Sequence, residues 1–325
     1  MSTTVGPLRR WAGRIEGWFF DPVPCHVMVA NRWILGCVLF FHALSRLPEF
    51  GLLYGVKAAA WSPAYRAFVS RFLAEDLGPV ALYVVSSLAQ LGAEPRALLL
   101  GTFYGLLLAS SLAFALGLFT RIAGCVAIAL HIFFVSVHPL AHYGWGLMLA
   151  PFTVYAILSR AGDYASIDAW RRRRRGQAMP AGAIPAWPMR LVQIHVVAMY
   201  FHTGFARIDD PSWLQGRALS EALARTLFTR FTLDLQPLQT VFEWLCYAVF
   251  VLEPVASVLL WIPGVRTLCA LALLAMHLLL EILTNVGWWN YIMIGGLLAF
   301  LPPPWVARLV PGVPPDTRAA PPPST

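Results

Sequence analysis

Apolar runs recur along this chain, and several approach the roughly 20 residues it takes to cross the hydrocarbon core of a bilayer. They fall at Val27–Leu47, Ala97–Leu118, Ile122–Val137, Gly144–Ser159, Arg190–Ala206, Thr240–Trp261, Thr267–Val286 and Trp288–Leu301. Inside lipid every backbone N–H and C=O must be satisfied within the protein, so runs of this kind are expected to be helices. The expected fold class is therefore an all-α integral membrane protein, a polytopic helical bundle of about eight transmembrane helices. Composition agrees. Of 325 residues, 58% are hydrophobic and 12% charged, about half the charge of an ordinary soluble domain.

The organisation expected is a cytosolic or interfacial N-terminal arm at 1–21, one transmembrane domain at 22–305 and a Pro-rich disordered tail at 306–325. No cleavable signal peptide is expected at the start. The net charge of +8 does not point to nucleic acid, because the Arg residues lie between apolar runs. There they act as topology signals and as contacts for anionic lipid headgroups. With eight spans and the N-terminus inside, the run Arg171–Arg175 falls inside, with about 15 basic residues in and about 9 out, as the positive-inside rule requires. The expected location is the cell membrane, with the N-terminus and the Arg-rich loop cytoplasmic. If the apolar stretch Leu77–Ala93 spanned as well, every later loop would change sides. It is therefore expected as an interfacial or re-entrant helix on the outer face.

Ionisable groups at membrane depth are costly unless paired or watered, so each is a candidate site residue. His42 and Arg46 are four apart in the first run, as are His277 and Glu281 in the seventh. That spacing puts each pair on one helix face. In the fifth run Gln193, Tyr200 and Arg207 form one seven-residue stripe and His195 and His202 another. Glu253 precedes Pro254, and His138 and His142 lie in a short turn. With the topology above, His42, Arg46, His138, His142, His202, Arg207, Glu243, Glu281 and Asn285 fall toward the outer side, which implies a polar cavity opening outward. A second reading stays open for several of them. His131 and His195 suit core histidines bonded between helices. Glu253 suits a partner for backbone groups freed by the proline, and His138 and His142 suit solvated turn residues. No HExxH or same-helix HxxxH is present, so no metal is expected. The five Cys residues form no CxxC and read as small core residues.

Several collinear stretches resemble a known family. They are Phe20-Asp21-Pro22-Val23-Pro24; Gly117-Leu118-Phe119-Thr120-Arg121; Tyr200 to Asp209 with Trp213 and Gly216; Glu253 with Arg266; and His277 with Gly287 and Tyr291. Over about residues 18–305 the chain is similar to the horizontally transferred transmembrane (HTTM) domain family, which includes the vitamin K-dependent γ-glutamyl carboxylase. The resemblance implies a membrane enzyme with its chemistry on the outer side, and a quinone (vitamin K-like) as cofactor or substrate. It places Arg207 where the carboxylase has its lysine base. Arginine stays protonated in proteins, so glutamate carboxylation of the established kind is not expected; the large lumenal region that handles the carboxylase's protein substrate also has no counterpart.

The expected catalytic residues are Arg207, to stabilise developing negative charge, His277 with Glu281 as base and orienter, and His202. Substrate-binding residues are expected to be His42, Arg46, His138, His142, Tyr200, Glu253 and Asn285. Expected partners are membrane lipids, a quinone or other amphipathic small molecule, and an envelope protein. The alternative is a non-catalytic accessory protein that binds lipid or quinone, or a partner of the toxin-immunity type. The inverted repeats typical of a transporter are absent from the sequence.

Overall fold

The computed structural model describes residues 7–65, 67, 78–138, 145–180, 182–225, 228–231 and 236–313. The described residues are helical or irregular apart from one short β ladder and an isolated bridge between Thr229 and Thr284. It divides into two compact units, one made of residues 1–30 and 181–325 and the other of residues 31–180.

In the first unit, α1 (Pro7–Phe20) leads into the strand β1 (Pro22–Pro24), which pairs antiparallel with β2 (Ala183–Pro185). The proline-bearing motif at residues 20–24 is thus a ladder edge, where the missing N–H of proline costs little. Helix α2 (His26–Arg46) begins in this unit and continues into the other. After β2 come α9 (Trp187–Ala206), the short α10 (Pro211–Leu214) and α11 (Ala218–Ala224), then α12 (Gln239–Leu259), α13 (Pro263–Leu283), α14 (Trp289–Leu297) and α15 (Pro303–Leu309). Pro188 and Pro263 sit in the first turns of α9 and α13, where no intrahelical donor is lost. The Pro-rich segment after Leu301 begins with a helix for the same reason: Pro303 and Pro304 open α15. Residues 314–325 of the expected tail lie outside the described residues.

The second unit holds the rest of α2, then α3 (Phe50–Tyr54), α4 (Gly78–Ala89), α5 (Ala93–Leu116), α6 (Thr120–Val137), α7 (Gly146–Leu158) and α8 (Ile167–Arg174). An aromatic core binds it. Tyr54 and Tyr104 each pack edge to face with Phe134, and the Tyr104 hydroxyl donates to the Ala43 carbonyl at 2.7 Å. The Gly117-Leu118-Phe119-Thr120-Arg121 motif is the α5–α6 turn. Gly117 takes φ +71°, the left-handed C-cap that glycine adopts without strain. Asp168 then accepts from the backbone N–H groups of Phe119 and Thr120 and from the Thr120 hydroxyl, all at 2.9–3.0 Å. The wholly buried Arg32 of α2 holds the next loop by donating to the carbonyls of Ala161, Tyr164 and Ala165. An arginine on an apolar helix is tolerated here because the loop supplies it with acceptors.

Among the described residues, five helical stretches are long and apolar enough to cross a membrane: His26–Tyr54, Ala93–Leu116, Thr120–Val137, Gln236–Leu259 and Pro263–Leu283. Met148–Leu158 and Trp289–Phe300 are apolar but shorter. Helix α9 has 20 residues but carries Gln193, His195, Tyr200 and His202, which make it more polar. The 12 residues of α4 span about 18 Å, short of the ~30 Å hydrocarbon core.

Candidate functional site

Helix α9 presents Tyr200, Thr203, Gly204 and Arg207 at intervals of three, four and seven residues, which makes one stripe. Tyr200 is 2% exposed, and its hydroxyl lies 2.8 Å from His277 Nε2 on α13. His277, also buried, lies 2.9 Å through Nδ1 from Asn290 Oδ1 on α14. Asn290 in turn donates through Nδ2 to Glu281 Oε2 at 3.1 Å. The direction of the chain follows from chemistry. A carboxylate only accepts, so the Asn290 amide nitrogen faces Glu281 and its oxygen faces His277. His277 Nδ1 therefore carries the proton, and Nε2 is the acceptor for the Tyr200 hydroxyl. The relay runs from Tyr200 through His277 and Asn290 to Glu281. Glu281 is further held by the Tyr291 hydroxyl at 2.9 Å and by the Arg230 guanidinium.

One turn along α9, the Thr203 hydroxyl donates to Glu253 Oε2 at 2.8 Å. Arg207 NH1 lies 2.6 Å from the same oxygen, and its guanidinium stacks over Trp213 at 4.1 Å. The NH1–Glu253 contact is ionic rather than a well-directed hydrogen bond, since no N–H of NH1 points at an acceptor. Glu253 thus serves a neighbouring helix, rather than backbone groups freed by Pro254. The two helices meet closely here because residue 204 is glycine: a Cβ there would lie 2.7 Å from Pro254 Cδ. Just beyond α9, the carboxyl of Asp210 is held below its usual range by the Ser212 hydroxyl and backbone N–H, which it accepts as the cap of α10.

Of the residues expected from sequence, Tyr200, His277 and Glu281 come together, and Arg207 joins Glu253. His277 and Glu281 are not bonded directly; Asn290 stands between them. His202 is exposed, as its position requires, since two residues on from Tyr200 is about 200° around the helix. Asn285 is exposed and off the α13 stripe. The helix ends at Leu283 rather than at the expected Val286, because Thr284 turns extended and bridges Thr229, while the Asn285 N–H bonds the Phe228 carbonyl.

His42, Arg46 and His138 lie in the other unit. His42 packs its ring against Trp145 at 4.6 Å and His131 at 6.0 Å. Arg46 pairs with Glu49 at 2.7 Å, and His138 lies beside Tyr65. The cavity between His42, Arg46, Tyr54, Tyr104 and His131 is about 10 Å³, room for about one water. It is too small for a quinone ring. His142 lies outside the described residues, which contain no group of three His, Cys, Asp or Glu side chains placed to hold a metal ion.

Sequence reasoning missed Asn290, Arg230 and Thr203. Asn290 was legible as the one strongly polar residue of Trp289–Leu297; nothing local marked Arg230. Residues 80–305 match the family model of the HTTM domain, and no solved structure matches the chain.

Proposed function

Because the chain belongs to the HTTM domain family, we propose that it is a membrane enzyme that takes a proton from the hydroxyl of an amphipathic substrate such as a hydroquinone. The observation that carries this reading is the buried one-way relay from Tyr200 to Glu281. His277 Nε2 already receives a phenolic O–H, that of Tyr200, and a hydroquinone offers the same donor. Tyr200 Oη accepts the substrate proton while its own passes to Nε2. The charge that develops on His277 is held by Asn290, with the Glu281 carboxylate one hydrogen bond further, and a third group of this kind orients the base as in other acid–base sites. A bound hydroquinone would supply the acidic phenolic O–H. Arg207, tied to Glu253 and stacked on Trp213, positions α9 and contributes positive charge to a nascent oxyanion; it does not act as the base.

The reading includes eight crossings of the cell membrane, with the N-terminus and Arg171–Arg175 in the cytoplasm and the relay toward the outer side. It is supported by contacts near helix ends. Trp18 meets Trp261 at 6.0 Å, Trp261 meets Phe300 at 6.3 Å, and Gln193 donates to the Ala299 carbonyl. The start of α9, the end of α12 and the end of α14 therefore lie at one level, as two pairs of crossings require.

The Arg207–Glu253 ion pair favours a second reading, a non-catalytic accessory that binds a lipid or quinone and engages an envelope partner, because it neutralises the group at the family's base position. Turnover assays on wild type, His277→Ala and Arg207→Ala, with mass spectrometry of the co-purifying small molecules, separate the two. Turnover of a quinone by wild type and its loss from His277→Ala supports the enzyme; a quinone or lipid retained without turnover refutes it.

A further inference from the structure

The arginine run after α7 is not a uniform charged face. In the second unit a cavity of about 1010 Å³ is lined by Arg121, Arg160, Arg171, Arg172 and Arg175, while Arg173 and Arg174 of the same run do not line it. Two carboxylates share the cavity, Asp163 and Asp168, which leaves the lining at five positive against two negative, net +3. Both carboxylates are already engaged: Asp168 caps the α5–α6 turn, and Asp163 pairs with Arg160 at 2.7 Å and Arg172 at 3.3 Å. Among the described residues no carboxylate pairs with Arg121, Arg171 or Arg175. The N-terminus of α6 is not the attraction, since Asp168 satisfies it.

The surroundings are apolar. The cavity lies where α5 ends, α6 begins and α7 ends; exposed Phe119 and Ile122 line it, and the last residues of α5 and α7, Leu116 and Leu158, are exposed as well. Arg171 lies over the Phe119 ring at 5.2 Å, which orders its guanidinium before any ligand arrives. Three apolar helices ending at a concave basic cluster make a hydrocarbon boundary with a phosphate-binding surface above it. We propose that this cavity is a discrete binding site for the phosphate headgroup of an anionic phospholipid, with Arg121, Arg171 and Arg175 as its ligands and the acyl chains lying along Ile122 and Leu158.

Native mass spectrometry of the full-length protein released from mixed micelles tests this, with phosphatidylglycerol or phosphatidylcholine added, and with inorganic phosphate as competitor. The proposal expects at least tenfold greater retention of phosphatidylglycerol. It expects that preference to be lost in Arg171→Gln/Arg175→Gln and kept in the charge-matched Arg173→Gln/Arg174→Gln, with both variants checked for a wild-type elution volume. Equal retention of the two lipids by wild type overturns the proposal whether or not the variants fold. Equal loss in both variants also overturns it, because the run would then attract lipid only by its total charge. Displacement of phosphatidylglycerol by millimolar inorganic phosphate would show a site for the free anion instead.

Discussion

Removing Arg207 should destabilise the protein by more than the loss of its own contacts. Glu253 is only 5% exposed, and its carboxylate has two partners, the Arg207 guanidinium at 2.6 Å and the Thr203 hydroxyl at 2.8 Å. Arg207→Ala leaves that charge buried with one neutral donor. Breaking a buried pair from one side costs about 3–5 kcal/mol. The Arg207 side chain is 21% exposed, so water reaches the site and the lower end, about 3 kcal/mol, is expected. Loss of the Trp213 stack adds roughly 0.5–1 kcal/mol. Removing both charges, Arg207→Met with Glu253→Met, eliminates the stranded carboxylate, and the double variant should recover about 2 kcal/mol relative to the sum of the single variants. Unfolding in mixed micelles titrated with a denaturing detergent, followed by tryptophan fluorescence, measures the cycle. Strict additivity of the two changes would refute the reasoning.

Gly204→Ala puts a methyl 2.7–2.8 Å from the Cδ and backbone N of Pro254; α9 and α12 must separate, at a cost of about 1–3 kcal/mol in the same titration. Arg32→Met strands the carbonyls of Ala161 and Tyr164 and leaves that of Ala165 only the Trp33 indole N–H, a loss of roughly 2–3 kcal/mol, with faster proteolysis in the 160–166 loop as the readout. Asn290→Leu leaves the His277 Nδ1–H buried without an acceptor, which should cost about 1–3 kcal/mol and weaken ligand binding; unchanged stability would argue against the relay. The pKa of Asp210 is lower folded than unfolded. Its cap is therefore fully present above the usual carboxylate value of about 3.9 and is lost as pH falls through the lower folded value. Hydrogen exchange in residues 211–217 should rise only in that acid window, and Asp210→Asn should remove the dependence.

The helices were legible because apolar length is a strong signal, and the observed ends of α2, α6 and α9 fall within three residues of those expected. What escaped was decided by tertiary partners. The end of α13 depends on Thr284 meeting Thr229, more than 50 residues earlier, which no local pattern encodes. The stripe Gln193, Tyr200 and Arg207 was correctly read as one face, and it is the face that carries the relay and the ion pair. His277 and Glu281 share a face by spacing, yet the residue that joins them, Asn290, comes from the next helix. His42 is buried among aromatic rings, and spacing alone does not distinguish packing of that kind from a ligand site.

In the proposed function the relay receives a hydroxyl proton from a bound amphipathic ligand. Equilibrium binding of a short-chain naphthohydroquinone to the protein in nanodiscs, under anaerobic conditions, tests it most directly. Binding should be saturable in wild type, weakened about tenfold in Tyr200→Phe and His277→Gln, as expected for loss of one strong hydrogen bond, and unchanged in His202→Ala. Binding that is equal in all four proteins, or absent from wild type, would contradict it.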